Sequence, residues 1–161
     1  MKTATVNELK DEMKHLPAPK LLELCLRLAR FKKENKELLT YLLFEAHNEQ
    51  GYMEGVQAFI SSQFAEIPLG NSLYLAKKSL RKILRITNKY IRYAGSKTVE
   101  IRLLLYYLSK LKDSGIPISK STALINLYDG QLKKIRKILP LLHEDLQHDY
   151  GREIERLIRP V

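Results

Sequence analysis

Leucine, isoleucine and tyrosine recur at intervals of three and four through most of this chain, and no stretch alternates with period two over more than a few residues. That rhythm predicts helices joined by short polar or Gly/Pro breaks, and no sheet. Leu9, Met13 and Leu16 mark a short first helix, with Thr3 or Thr5 as its cap. Pro17 and Pro19 end it, because proline disfavours helix in the residue before it. KLLELCLRLARF (20–31) is apolar on most sides, which predicts a buried helix with Glu23, Arg27 and Arg30 at its wet edge. KKENK (32–36) supplies a polar break, or a solvated turn in one bent helix, before the apolar ELLTYLLFEA (37–46). Two apolar helices joined by a short polar connection predict an antiparallel αα-hairpin.

Gly51, in NEQGY, is the expected residue just past a helix end. Val56, Phe59, Ile60 and Phe64 then form one stripe, opposite Glu54, Gln57 and Ser61. IPLGNS (67–72) is the clearest break, offering Asn71 or Ser72 as an N-cap. Two helical patterns follow, divided at Gly95-Ser96. LYLAKKSLRKILRITNKYIRY (73–93) is basic on one side and apolar on the other. TVEIRLLLYYLSKL (98–111) is apolar nearly all round, as a helix walled in by neighbours must be, with Leu103, Leu104, Leu105 and Leu108 expected near the core's centre. Gly115 and Pro117 stop it, and Ser119 is the expected next cap. The rhythm then continues through Leu124, Tyr128, Leu132, Ile135, Leu139, Leu142 and Leu146. Either 119–148 is one helix kinked at Pro140 or Asp129-Gly130 divides it. Continuity through Gly130 is the preferred reading, since an isolated helical Gly costs only ~1 kcal/mol relative to Ala. Tyr150-Gly151 is expected to interrupt before a short last helix, REIERLI (152–158).

The predicted fold class is therefore all-α: an irregular helical bundle or short α-solenoid of about seven helices built from αα-hairpins, as a single domain over 1–161. SLRKILRI (79–86) and QLKKIRKI (131–138) share a pattern, but their 52-residue offset fits a regular helix-pair array poorly.

Composition adds a few bounds. The lone cysteine, Cys25, excludes an intramolecular disulfide and, within LLELCLRLA, reads as a small buried hydrophobe. The N-terminus lacks an apolar secretory core and no run approaches a membrane span, so no integral membrane contact and a cytoplasmic setting are expected.

Charge changes the picture more. Net charge is +10, yet residues 1–66 hold nine Lys/Arg against ten Asp/Glu and 113–161 hold eight against seven. Residues 67–112 hold eleven against one, Glu100. At 100° per residue, Lys77, Lys78, Arg81, Lys82, Arg85, Lys89 and Arg92 fall within an arc of roughly 140°. Four like-charge pairs at i,i+4 (77–81, 78–82, 81–85 and 85–89) oppose this helix by roughly 0.2–0.5 kcal/mol each. Such a face points to an anionic partner unless carboxylates elsewhere, such as Glu45, Glu49 and Glu54 or Glu144, Asp145 and Asp149, already neutralise it. The first expectation is a protein-interaction module engaging an acidic protein, or its own acidic N-terminal surface by self-association. The alternative is non-specific DNA or RNA binding through the same residues, with Tyr74 in the basic arc able to stack a base.

Catalytic patterns are lacking. His143 and His148 stand at i,i+5, about 140° apart on a helix, where a helical two-histidine metal site wants i,i+3 or i,i+4. Glu45 and Glu49 share a face, but Asn48 and Gln50 make it an exposed helix end. Phe44, Phe59, Phe64, Tyr41, Tyr106 and Tyr107 fall at expected core positions. No enzyme, cofactor or metal is expected.

Overall fold

The computed structural model describes residues 2–68 and 73–158. Among them the chain forms eight α-helices and no strand, the all-α architecture that the periodicity predicts. No helix among the described residues is long and apolar enough to cross a membrane. The chain falls into two compact units, Met1–Phe44 and Glu45–Val161.

The first unit opens with α1 (Val6–Lys14), and Thr5 rather than Thr3 is its cap. The Thr5 Oγ1 accepts from the Glu8 N–H at 3.3 Å while the Glu8 carboxylate accepts from the Thr5 N–H at 2.6 Å, a reciprocal capping box. Next, α2 (Ala18–Phe31) carries Pro19 in its first turn, where the missing N–H costs nothing. Lys32 alone, in extended conformation (φ −140°, ψ 143°), separates α2 from α3 (Lys33–Thr40). The two helices pack as the expected hairpin, and Asn35 Nδ2 ties the turn by donating to the Leu28 carbonyl at 2.8 Å. A π-helical turn, Tyr41–Glu45, follows.

No residue of α1, α2 or α3 is buried. The expectation that KLLELCLRLARF forms a buried helix is thus overturned: Leu22, Leu28 and Phe31 are 61%, 59% and 76% exposed, and Cys25 lies at the surface. Phe44, expected in the core, is also exposed. Apolarity on a helix states a demand for cover. A two-helix layer has too few neighbours to meet it.

In the second unit, α4 (Glu49–Ala65) runs through Gly51, which is therefore not past a helix end. Asn48 caps this helix by accepting from the Gly51 N–H at 3.0 Å, and a Cβ at Gly51 would collide with the Asn48 side chain. The expected caps Asn71 and Ser72 lie outside the described residues. Beyond them, α5 (Leu73–Ala94) ends at Gly95, whose φ of +64° makes the turn into α6 (Lys97–Asp113). Gly115, at φ +71°, makes the next turn. A 3₁₀ turn, Ile118–Lys120, comes before α7 (Thr122–Ile138), so its cap is Ser121 rather than Ser119.

The open choice over 119–148 resolves at the proline. Helix α7 passes through Gly130, and a second 3₁₀ turn, Leu139–Leu141, carries Pro140 into α8 (Glu144–Ile158). The expected interruption at Gly151 is absent. Tyr150, Ile154 and Leu157 form one buried stripe through it, and burying three such side chains outweighs the ~1 kcal/mol cost of a helical glycine.

Helix α6 lies at the centre and packs against α4, α5, α7 and α8. Nine of its residues are buried, among them Leu103, Leu104, Leu105 and Leu108 as expected. Side-chain ties fix the directions. Ser61 on α4 shares a 2.6 Å hydrogen bond with Tyr106, and Gln50 accepts from Arg102, so α4 runs parallel to α6. Tyr107 donates to the Leu80 carbonyl at 3.0 Å, while Lys134 on α7 reaches both Asn88 on α5 and Glu100 near the start of α6. Both α5 and α7 therefore run antiparallel to α6 and flank it. Leu104→Ala, at 0% exposure, is expected to lower the stability of this unit by about 3 kcal/mol in urea titration. Leu141→Ala, at 67% exposure, should change it by less than about 0.5 kcal/mol.

Candidate functional site

The inward face of α5 consists of Ala76, Leu80, Ile83, Thr87 and Ile91, all buried and spaced by three and four. Thr87 satisfies its hydroxyl by donating to the Ile83 carbonyl at 2.9 Å. Two tyrosines fix the rotation of this helix. Tyr107 from α6 donates to the Leu80 carbonyl, and Tyr52 from α4 donates to the Tyr90 carbonyl at 2.9 Å. Burial pushes the Tyr107 hydroxyl well above its ordinary value, so it stays a proton donor.

With that face held inward, the side chains of the basic arc turn outward. Lys78, Arg81, Lys82, Arg85 and Arg92 are exposed, Lys77 and Lys89 are half-buried, and Tyr74 is exposed. The Lys89 ammonium sits 5.3 Å from the Tyr90 ring centroid and 5.9 Å from that of Tyr93, where the ring faces attract it. Among the described residues, no carboxylate pairs with Lys77, Lys78, Arg81, Lys82, Arg85 or Arg92. The carboxylates considered as internal counter-charges are engaged elsewhere or stand apart: Glu54 accepts from Gln50, and Asp145 lies 3.4 Å from His143.

Beside this face, a groove of about 570 Å³ opens between α5 and α7. Arg81, Arg85 and Arg92 line its α5 side, Gln131 and Lys134 its α7 side, with Asn88 and Glu100 between them. Lys77, Lys78, Lys82, Lys89 and Tyr74 do not line it. The periodicity of a single helix could not reveal Asn88, Gln131, Lys134 or Glu100 as groove residues. A signal was present in the shared SLRKILRI and QLKKIRKI pattern: these segments are the helices flanking α6 on either side of the groove.

Among the described residues, Glu100 is the one charged residue in the buried set, and it fastens the groove's floor. Its Oε2 receives Lys97 at 2.9 Å and its Oε1 receives Lys134 at 2.8 Å. Burial raises its pKa, but the hydrogen bonds from Lys134 and then Lys97, with their positive charges, outweigh burial and hold the carboxyl below its ordinary value. Lys134 is thus fixed in place, whereas the arginines opposite have no internal counter-charge.

The two histidines do not converge. His143 Nδ1 accepts from the Asp145 N–H, and His148 Nε2 lies 2.8 Å from Arg152. No group of three His, Cys, Asp or Glu side chains capable of holding a metal gathers among the described residues.

The lowered Glu100 value fixes the sign of a pH effect. The unfolded chain takes up the proton first, at about its ordinary value of 4.5, so the ionised carboxylate stabilises the fold above that pH. The contribution disappears as pH falls through the lower folded value. Glu100→Gln is expected to reduce stability at pH 7 and to flatten the fall in urea midpoint below about pH 4.5. Parallel pH profiles for the two proteins would remove the clasp. No protein-family model, curated protein or solved structure matches this chain.

Proposed function

We propose that the protein binds nucleic acid without sequence preference, through the outward face of α5 and the groove beside it. The observation carrying this reading is the set of three arginines, Arg81, Arg85 and Arg92, aligned along one groove edge with no carboxylate partner among the described residues. A guanidinium offers a planar fork of donors that matches phosphate oxygens, and cations displacing condensed counterions drive sequence-independent binding. On the α7 side Lys134 is held by Glu100, and Lys133 and Lys137 are exposed on the same helix. Asn88 and Gln131 add polar side chains able to hydrogen-bond sugar or phosphate.

An acidic protein partner, the first expectation from the sequence, fits the charge equally well but fits the rest of the face less well. Protein interfaces draw most of their affinity from apolar and aromatic anchors at their centre. Between Lys77 and Arg92 no large apolar side chain is exposed; Tyr74 and Leu75, at the helix start, are the nearest. Phosphate binding needs no such anchor, and Tyr74 offers a ring for stacking.

Anisotropy titrations of labelled single- and double-stranded oligonucleotides at two salt concentrations test the reading. Micromolar binding is expected near 50 mM salt, weakening by roughly tenfold or more near 200 mM. Arg81→Glu/Arg85→Glu should abolish it with far-UV circular dichroism unchanged. No binding at low salt sinks the proposal, and binding of polyglutamate alone would restore the acidic-protein reading.

A further inference from the structure

The groove between α5 and α7 carries free positive charge on one edge only. Arg81, Arg85 and Arg92 follow its α5 edge over about 16 Å of helix rise. On the opposite edge Lys134 is the one lining cation among the described residues, and the Glu100 carboxylate, 2.8 Å away, answers its charge.

Between the edges the lining changes character. Gln131 has no hydrogen-bond partner among the described residues, so its amide donors and its carbonyl are all open. Asn88 accepts from Lys134 at 3.3 Å, which leaves its Nδ2 hydrogens as donors. Glu100 receives one lysine on each oxygen and keeps lone pairs beyond those two bonds. Leu84 and Ile91 add apolar surface beside them. Asn88 and Gln131 are half-buried, recessed behind the exposed arginines.

Such a cross-section suits a nucleobase better than a phosphate. An anion gains nothing from a carboxylate, whereas an unpaired base offers donors and acceptors along its edge and a flat face for apolar contact. At about 570 Å³ the groove falls within the roughly 300–1,000 Å³ of small-molecule pockets, enough for a base or two with their sugars. Resting on the nucleic-acid reading above, we propose that the groove takes single-stranded nucleic acid. The backbone follows the arginine edge, and unpaired bases turn across the groove to Asn88, Gln131 and Glu100. A duplex keeps its Watson–Crick edges paired and carries two backbones, for which the groove has a single cationic edge. Side-chain amides both donate and accept, so base insertion imposes no fixed sequence.

Charge alone predicts the opposite preference, because a duplex packs its phosphates more densely and releases more counterions per contact. Three labelled probes are therefore titrated against the full chain at about 50 mM salt. They are a mixed-sequence single strand, a fully abasic strand with the same number of phosphates, and a duplex of that sequence. The intact strand is expected to bind about tenfold more tightly than the abasic one, and more tightly than the duplex. Equal binding of intact and abasic strands overturns base insertion while leaving phosphate binding in place, and so does a duplex that binds as tightly as the single strand. Absence of binding by all three sinks the underlying nucleic-acid reading as well. Asn88→Ala/Gln131→Ala is expected to bring the intact-to-abasic ratio close to one with helicity unchanged. An undiminished ratio in this variant overturns the groove as the place where bases enter. Should the variant lose helix, the comparison of intact and abasic strands on the unmodified chain still decides.

Discussion

A helix with nine of its 17 residues buried is the constraint around which the second unit is organised. Those nine lie between Val99 and Leu111 of α6, while Lys97, Ser109 and Asp113 reach solvent. Such a helix has to be enclosed, and α4, α5, α7 and α8 enclose it. Each of those four turns its apolar stripe inward, and its outward face is left to polar and charged side chains. The exposed cations of α5 follow from this arrangement: with Leu80 and Ile83 committed to the centre, the opposite side of the helix has nowhere to point but solvent.

The energetics explain why a face of like charges does not unravel its helix. Four repulsive i,i+4 pairs oppose α5 by roughly 1–2 kcal/mol together. Full burial of Leu80 and Ile83 alone contributes roughly 3–6 kcal/mol, before Ile91 and the tyrosine hydrogen bonds are considered. Packing therefore wins, and the repulsion persists in the folded protein as a standing attraction for anions. Glu100 shows the opposite solution at the same groove. A carboxylate shielded from water is stabilised by two ammonium groups, and in return it holds α7 against the start of α6.

The first unit has no counterpart to α6. Its hairpin is as apolar as the helices of the bundle, yet none of α1, α2 or α3 buries a residue. The contrast separates two meanings of hydrophobic sequence. In the second unit it builds an interior. In the first it remains on the surface.

The sequence by itself determined the helical class, the hairpin of α2 and α3, the central helix with Leu103 to Leu108 in its core, and the angular clustering of seven cations on one rod. All of these follow from short-range periodicity, which the chain states directly. The sequence misjudged Gly151, since the small cost of glycine in a helix is outweighed by neighbours that one segment cannot disclose, and Gly51, which the Asn48 cap places in the first turn of α4. It misjudged Cys25 and Phe44 as well, because apolarity says that a side chain seeks cover and not that cover exists. Only the tertiary structure brought Asn88, Gln131, Lys134 and Glu100 to the arginines of α5, across separations of up to 53 residues. Which distant helices flank a buried one is settled by packing directions and turn geometry, and local spacing carries no record of either.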